Sequence, residues 1–384
     1  MISHFQVVFC CSGWVMYSGE RIVFIDTART YALILALLSH AIPTFGVPDV
    51  GGWIMNYPIF TTMATPLFIF MFGVMMEIVY VKRAKKEGVA SAGRRMFKRA
   101  YQCYLSSALV SLAALLGGYI SLTVFFSSLV FIENSRYTDI LFTYAGALLM
   151  MPIILRFRLK HGHLALMPLF LAVVLLTHVI SFSKNIDLGF FGVFINQLIG
   201  AGDVTNNPSV LGAFIFILLG MIAGQFVLQG DKVYLFSAVA GGACLIASLL
   251  VWGITENGSV KELMTEYAYG RLRSAGSILY FLMGSFYCLA TLSLIKFVVE
   301  RFPKLHGIAA FLSPLGKHSL LAFALGNILL NLWGPTGRIL LAPSLAIPVF
   351  FIIVYIFCRY QQKIPTYGFW QRLFNAQNPV GNLK

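Results

Sequence analysis

Residues 59–99 read IFTTMATPLFIFMFGVMMEIVYVKRAKKEGVASAGRRMFKR. The first part, 59–81, is an apolar run long enough to cross a hydrocarbon core of about 30 Å as a helix. The second part carries Lys82, Arg83, Lys85, Lys86, Arg94, Arg95, Lys98 and Arg99, whereas the stretch before the run, Gly46 to Pro58, contains no Lys or Arg. Cations gather on the cytoplasmic side of membrane proteins, so 82–99 is expected inside and 46–58 outside.

Apolar runs of similar length recur on both sides of this stretch. The composition is 59% hydrophobic, 15% aromatic and 11% charged, with a mean hydropathy of +0.82, which excludes a soluble fold. Single helices satisfy their own backbone hydrogen bonds in lipid, so the expected fold class is all-α: a polytopic helical bundle. Its ten spans are expected at about 26–45, 59–81, 100–126, 138–156, 164–183, 209–228, 232–254, 275–298, 314–333 and 339–358. An even count puts both termini in the cytoplasm, giving an N-terminal segment 1–25, a membrane domain 26–358 and a tail 359–384. Arg156, Arg158, Lys160, Lys304, Lys317, Arg359 and Lys363 all follow this orientation, while the external loop 255–274 mixes both signs. The net charge of +14 is therefore a topological pattern and does not call for a nucleic-acid partner.

The six cysteines, Cys10, Cys11, Cys103, Cys244, Cys288 and Cys358, lie mostly in apolar runs without metal-ligand spacing, so no metal site is expected. His161 and His163 accompany Lys160 in a cytoplasmic loop and read as solvated side chains. Trp53, Tyr57 and Trp333 fall near span ends, as interfacial aromatics do.

Chemistry concentrates on the first span, where Asp26, Arg29 and His40 share one membrane helix. Ionisable residues are costly there, which makes function the default reading. Eleven steps of about 100° bring His40 back to the face of Arg29, displaced by about 16 Å along the axis. Asp26 and Arg29 also have a plainer reading as an interfacial ion pair with a snorkelling guanidinium, and His40 has one as a neutral helix-packing imidazole.

These residues resemble the first-helix signature of the acyltransferase-3 superfamily of membrane acyltransferases, in which Arg21, Asp26 and the Arg29-x10-His40 spacing have counterparts. Within it, the chain is similar to the OpgC-type glucan succinyltransferases. Met63–Gly73, Arg94-Arg95-x-x-Lys98-Arg99 with Tyr104, Asp139–Tyr144 and Leu315–Leu320 follow in the expected order. Thr30 stands where the family usually has glycine, and Lys98 breaks a strict RxxR.

The resemblance implies a bacterial inner-membrane enzyme that moves a succinyl or acetyl group from acyl-CoA to a sugar hydroxyl of a periplasmic glucan or of cellulose. Acyl-CoA would be a co-substrate, with no resident cofactor, and polysaccharide synthesis or export machinery a further partner. Attack by a sugar hydroxyl on a thioester needs a base, and the resemblance assigns that role to His40. Arg29, Arg94, Arg95, Lys98 and Arg99 would hold the CoA phosphates, although orientation and lipid attraction alone also explain the cluster. Asp139 would orient His40 or bind the acceptor, or simply begin a helix. Ser319, beside His318, reads as a cap or packing residue rather than a nucleophile. The rival functions are a transporter or flippase and a non-catalytic partner of a polysaccharide synthase. Broken hydrophobic segments in a pair, as carriers show, are not expected.

Overall fold

In a computed structural model the described residues are 22–46, 58, 60–183, 186, 190–201, 208–256, 258–274, 276–333 and 343–360. The expectations for residues 1–21, Trp53, Tyr57, Lys363 and the tail beyond 360 lie outside them. Every regular element among the described residues is helical. In chain order these are α1 (Val23–Phe45), α2 (Ala64–Glu87), α3 (Val89–Leu116), α4 (Leu122–Leu129) and α5 (Asp139–His161). There follow α6 (Leu166–Ser181), α7 (Phe190–Ile199), α8 (Val210–Val227), α9 (Lys232–Thr255), α10 (Val260–Ala268) and the single turn α11 (Arg271–Ser274). The chain ends on α12 (Ile278–Arg301), α13 (Lys304–Lys317), α14 (Ser319–Leu332) and α15 (Pro343–Tyr360).

Among the described residues six helices, α1, α2, α5, α8, α9 and α12, are long and apolar enough to cross a membrane, seven if the bent pair α13 and α14 is counted as one span. The fold is a multi-pass helical membrane protein, and each of the ten expected spans overlaps a helix, seven of them on these spans. The remaining three fall on α3, whose first turns carry the cationic cluster, and on the shorter apolar α6 and α15.

Three expected boundaries are corrected. The third span was expected to reach residue 126, but α3 stops at Leu116, where Gly117 and the positive-φ Gly118 turn the chain into α4. Apolar residues continue through that turn, so hydropathy alone does not see it. The ninth span, expected as one helix over 314–333, is broken at His318 and bent by 75°, with Pro314 four residues before the break. The external loop 255–274 folds into α10 and α11, and a capping box between Ser259 and Glu262 opens α10.

Helix α8 is apolar on every side and is the most enclosed span; it packs against α2, α5, α6, α7, α9 and α12. Its approach to α2 is close enough that a Cβ on Gly73 would fall on the Ile217 carbonyl, and one on Gly220 on the Phe70 carbonyl. At the cationic end of this crossing α2 relaxes into a π-helical turn, Met76–Val81. Glu77 of that turn is gripped by Nε and Nη2 of Arg158 from α5, and Nη2 also donates to Gln225 of α8 at 3.2 Å. Arg158 is thus only 6% exposed: it was expected as a cytoplasmic orienting cation, and it is a buried clamp of three helices. Helix α1 joins two apolar cores: its first half belongs to the core that also holds α2 and α8, and its second half to the one that holds α14 and α15. The candidate residues are strung along this seam.

Candidate active site

Two side chains of α1 reach across to α14. Near the cationic end, Arg29 Nη2 donates to Ser319 Oγ at 2.7 Å, and its Nη1 lies 3.8 Å from the Asp26 carboxylate. Farther along, His40 Nδ1 meets Asn327 Oδ1 at 2.8 Å. Arg29 and His40 are eleven residues apart on α1 and Ser319 and Asn327 eight apart on α14, in the same order, so the two contacts follow one another along helices that run the same way.

The second contact fixes the chemistry of the imidazole. Asn327 Nδ2 donates to the Phe323 carbonyl at 3.0 Å, and a carbonyl can only accept, so Oδ1 is the atom turned to His40. Oδ1 can only accept in its turn, which makes Nδ1 of His40 the protonated nitrogen and leaves Nε2 with its lone pair. The ring is held from both sides, stacked on Tyr137 at 4.0 Å and 15° and met edge-on by Phe323 at 6.1 Å. Tyr137 takes a backbone φ of 66°, a conformation that costs energy outside glycine and here aims its ring at His40. Its hydroxyl joins Thr44 Oγ1 at 2.9 Å, and Arg136 Nη2 donates to both, at 2.6 Å to Tyr137 and 2.9 Å to Thr44. The Arg136 guanidinium also lies 3.7 Å above the Tyr119 ring.

A cavity of about 850 Å³ runs from the cationic end toward this imidazole. Arg83, Arg99 and Lys317 stand at its polar end, Arg29 and Ser319 follow, and Phe68, Tyr144, Ile140 and Ile328 line the remainder. One stripe of α3, Arg99, Gln102, Cys103 and Ser106, forms a wall. Phe323 lines the cavity and also meets the His40 ring, so it is the partition between the two. The Tyr144 hydroxyl donates to the Phe68 carbonyl and keeps α5 against α2 at that level.

The sequence-based candidates separate accordingly. Arg29 and His40 belong to one continuous arrangement, and Asp26 is the buried acceptor beside Arg29. Of the four cations expected to act together, only Arg99 lines the cavity; Arg94 and Arg95 are exposed on α3, and Arg95 pairs with Glu87 at 3.4 Å. Arg83 and Lys317 join Arg99 instead. Asp139 begins α5, as one of its expected readings had it, and the side chain set against His40 Nδ1 is Asn327. Ser319 is committed to Arg29 as a packing partner. Asn327 escaped notice because it is uncharged, yet a fully buried amide within an apolar helix is the same kind of signal as a buried charge. Arg136, between spans, was passed over.

Cys103, Cys288 and Cys358 are buried and Cys244 is half-buried. Among the described residues no group of His, Cys, Asp and Glu side chains is arranged to hold a metal ion.

Comparison with curated proteins finds no match to this chain. The acyltransferase-3 family model, described as an acyltransferase domain, matches residues 22–359, from the start of α1 to the last turn of α15. That match takes in the Arg29–Ser319 and His40–Asn327 contacts and the cavity between them, and the chain belongs to the acyltransferase-3 family of membrane acyltransferases.

Proposed function

We propose that the protein takes an acyl group, succinyl or acetyl, from acyl-CoA at the cationic, cytoplasmic end and transfers it to a sugar hydroxyl of an exported glucan or of cellulose at the other end. The observation that carries this reading is the cavity, cationic at one end, whose wall includes Phe323, the ring that meets an imidazole with a free Nε2. CoA has the matching form, with an anionic nucleotide, a long uncharged arm and a thioester at its tip. Arg83, Arg99 and Lys317 are the phosphate partners in this reading, and Arg29 the cation nearest the arm.

In the reaction, His40 Nε2 removes the hydroxyl proton as the sugar oxygen attacks the thioester carbon. The carbon–sulfur bond then breaks, and the imidazolium returns the proton to the departing thiolate, so that His40 ends neutral. Direct transfer is favoured over an acyl-enzyme, since Ser319 is bound to Arg29 and lies eight residues, about 12 Å of helix rise, from the level of Asn327. The resemblance to OpgC-type enzymes supports a bacterial inner-membrane location, a succinyl donor and a periplasmic glucan acceptor, with synthesis or export machinery as a neighbour.

The test is consumption of succinyl-CoA or acetyl-CoA by purified protein with and without glucan, together with mass spectrometry of the polymer. Glucan-dependent release of CoA that disappears in His40→Ala is expected. Donor consumption without acylated product, or full activity in His40→Ala, would overturn the reading, and the same assay separates it from a carrier or a non-catalytic partner.

A further inference from the structure

On the side of His40 away from the cationic end, several buried hydrogen-bond donors have nothing to bind. Tyr267 of α10 and Tyr280 of α12 are each 1% exposed, their rings stack at 5.9 Å, and neither hydroxyl has a partner among the described residues. Arg273 of α11 leaves its buried Nε unpaired, and Arg136 its buried Nη1. Neither arginine forms an ion pair among the described residues. The elements that carry them are neighbours: α11 packs on α10 and α12, α12 and α2 both pack on α1, and Thr62 near the start of α2 ties down the Ala268 carbonyl at the end of α10 at 2.7 Å. The charge of Arg273 acts on Tyr267, Tyr280 and His40, and that of Arg136 on His40.

Leaving a buried donor unsatisfied is costly, and more so when it belongs to a cation. Guanidinium nitrogens donate only, so the missing partner is an acceptor, and two positive charges without an ion-pair partner among the described residues call for a negative one. There is also a deficit at the base itself: His40 leans on a neutral amide, so its imidazolium form stands among cations without a counter-anion. A planar carboxylate answers all of these demands.

We propose that Arg273, Tyr267 and Tyr280, with Nη1 of Arg136, form a carboxylate-binding subsite beyond His40, filled by an anionic group of the substrate during transfer. The subsite rests on the acyl-transfer reading, and the carboxylate has two possible carriers: the far end of a dicarboxylic acyl group on the donor, or a uronate of the acceptor polymer.

The experiment compares wild type, Arg273→Gln and Tyr280→Phe in nanodiscs, with succinyl-CoA against acetyl-CoA and a uronate-bearing glucan against a neutral one. A fall of about tenfold in the succinyl-over-acetyl ratio of kcat/KM in Arg273→Gln assigns the carboxylate to the donor. A similar fall in the uronate-over-neutral ratio assigns it to the acceptor. Tyr280→Phe removes one hydroxyl without opening a cavity, so it guards against a folding defect and is expected to move the same ratio in the same direction. Free succinate or glucuronate should raise the Tm of wild type and not that of Arg273→Gln. Unchanged ratios, or no carboxylate-dependent rise in Tm, overturn the subsite and leave bound water as the partner of these donors. Carboxylate binding without transfer of any donor retains the subsite and overturns the acyl-transfer reading instead.

Discussion

A histidine works as a base through the nitrogen its own hydrogen bond leaves free, so the partner of His40 Nδ1 matters as much as His40 itself. Asn327 sets that choice. Asn327→Leu is expected to lower kcat by about 10–100-fold with little change in KM for acyl-CoA, because the donor cavity is untouched while the imidazole loses its fixed tautomer. Asn327→Asp should recover much of the loss, since a carboxylate also accepts from Nδ1–H; equal loss in both variants would tell against a positioning role. Arg29 uses separate nitrogens for Ser319 and Asp26, which one ammonium cannot reproduce. Arg29→Lys should therefore insert normally and lose more than half its activity, a cost above roughly 0.4 kcal/mol in the transition state. Snorkelling alone predicts activity within about twofold of wild type. Arg29 and His40 were legible in the sequence because a charge or an imidazole in an apolar run is conspicuous. Arg136 and Arg273 were not, because cations between spans read first as topology.

At the scale of helices, the buried Glu77–Arg158 pair fastens the π-helical turn of α2 to α5 and α8. Removing one member strands the other's charge, at a cost of about 3–5 kcal/mol, whereas replacing both by apolar residues of similar size is far milder. Glu77→Gln should lower Tm markedly, and Glu77→Leu with Arg158→Met should restore most of it. A double variant as unstable as the single one would mean the pair does more than neutralise itself. Hydropathy found the apolar runs in which the helices lie, since burial in lipid requires them. It did not find where chain direction changes inside a run: at Gly117–Gly118 the composition stays apolar while the backbone turns, and at His318 a span-length average smooths over Lys317 and His318. The break at His318 matters for the site: it starts α14 beside Arg29 and so sets the depth of Asn327.

At the scale of the whole molecule, the cations divide into those on the cavity wall and those on the outer surface. Neutralising Arg83, Arg99 and Lys317 together should raise the KM for acyl-CoA in a salt-dependent way, and neutralising the exposed Arg94 and Arg95 should do less. Equal effects would assign both sets to general attraction.

The cavity begins at one end of the bundle, and Phe323 and His40 stand between it and the other, so in the proposed reaction donor and acceptor enter from opposite ends and meet only at His40. That separation has an electrical consequence. With an acetyl group, CoA keeps its charge inside and the sugar stays neutral outside, so a turnover moves no net charge. With a carboxylate-bearing acyl group, one negative charge leaves the interior each time. An inside-negative potential then favours export by about 2.3 kcal/mol per 100 mV. In proteoliposomes, an imposed potassium diffusion potential should speed transfer from succinyl-CoA and leave transfer from acetyl-CoA unchanged, and an equal response of the two donors would place both ends of the reaction on the same side of the barrier.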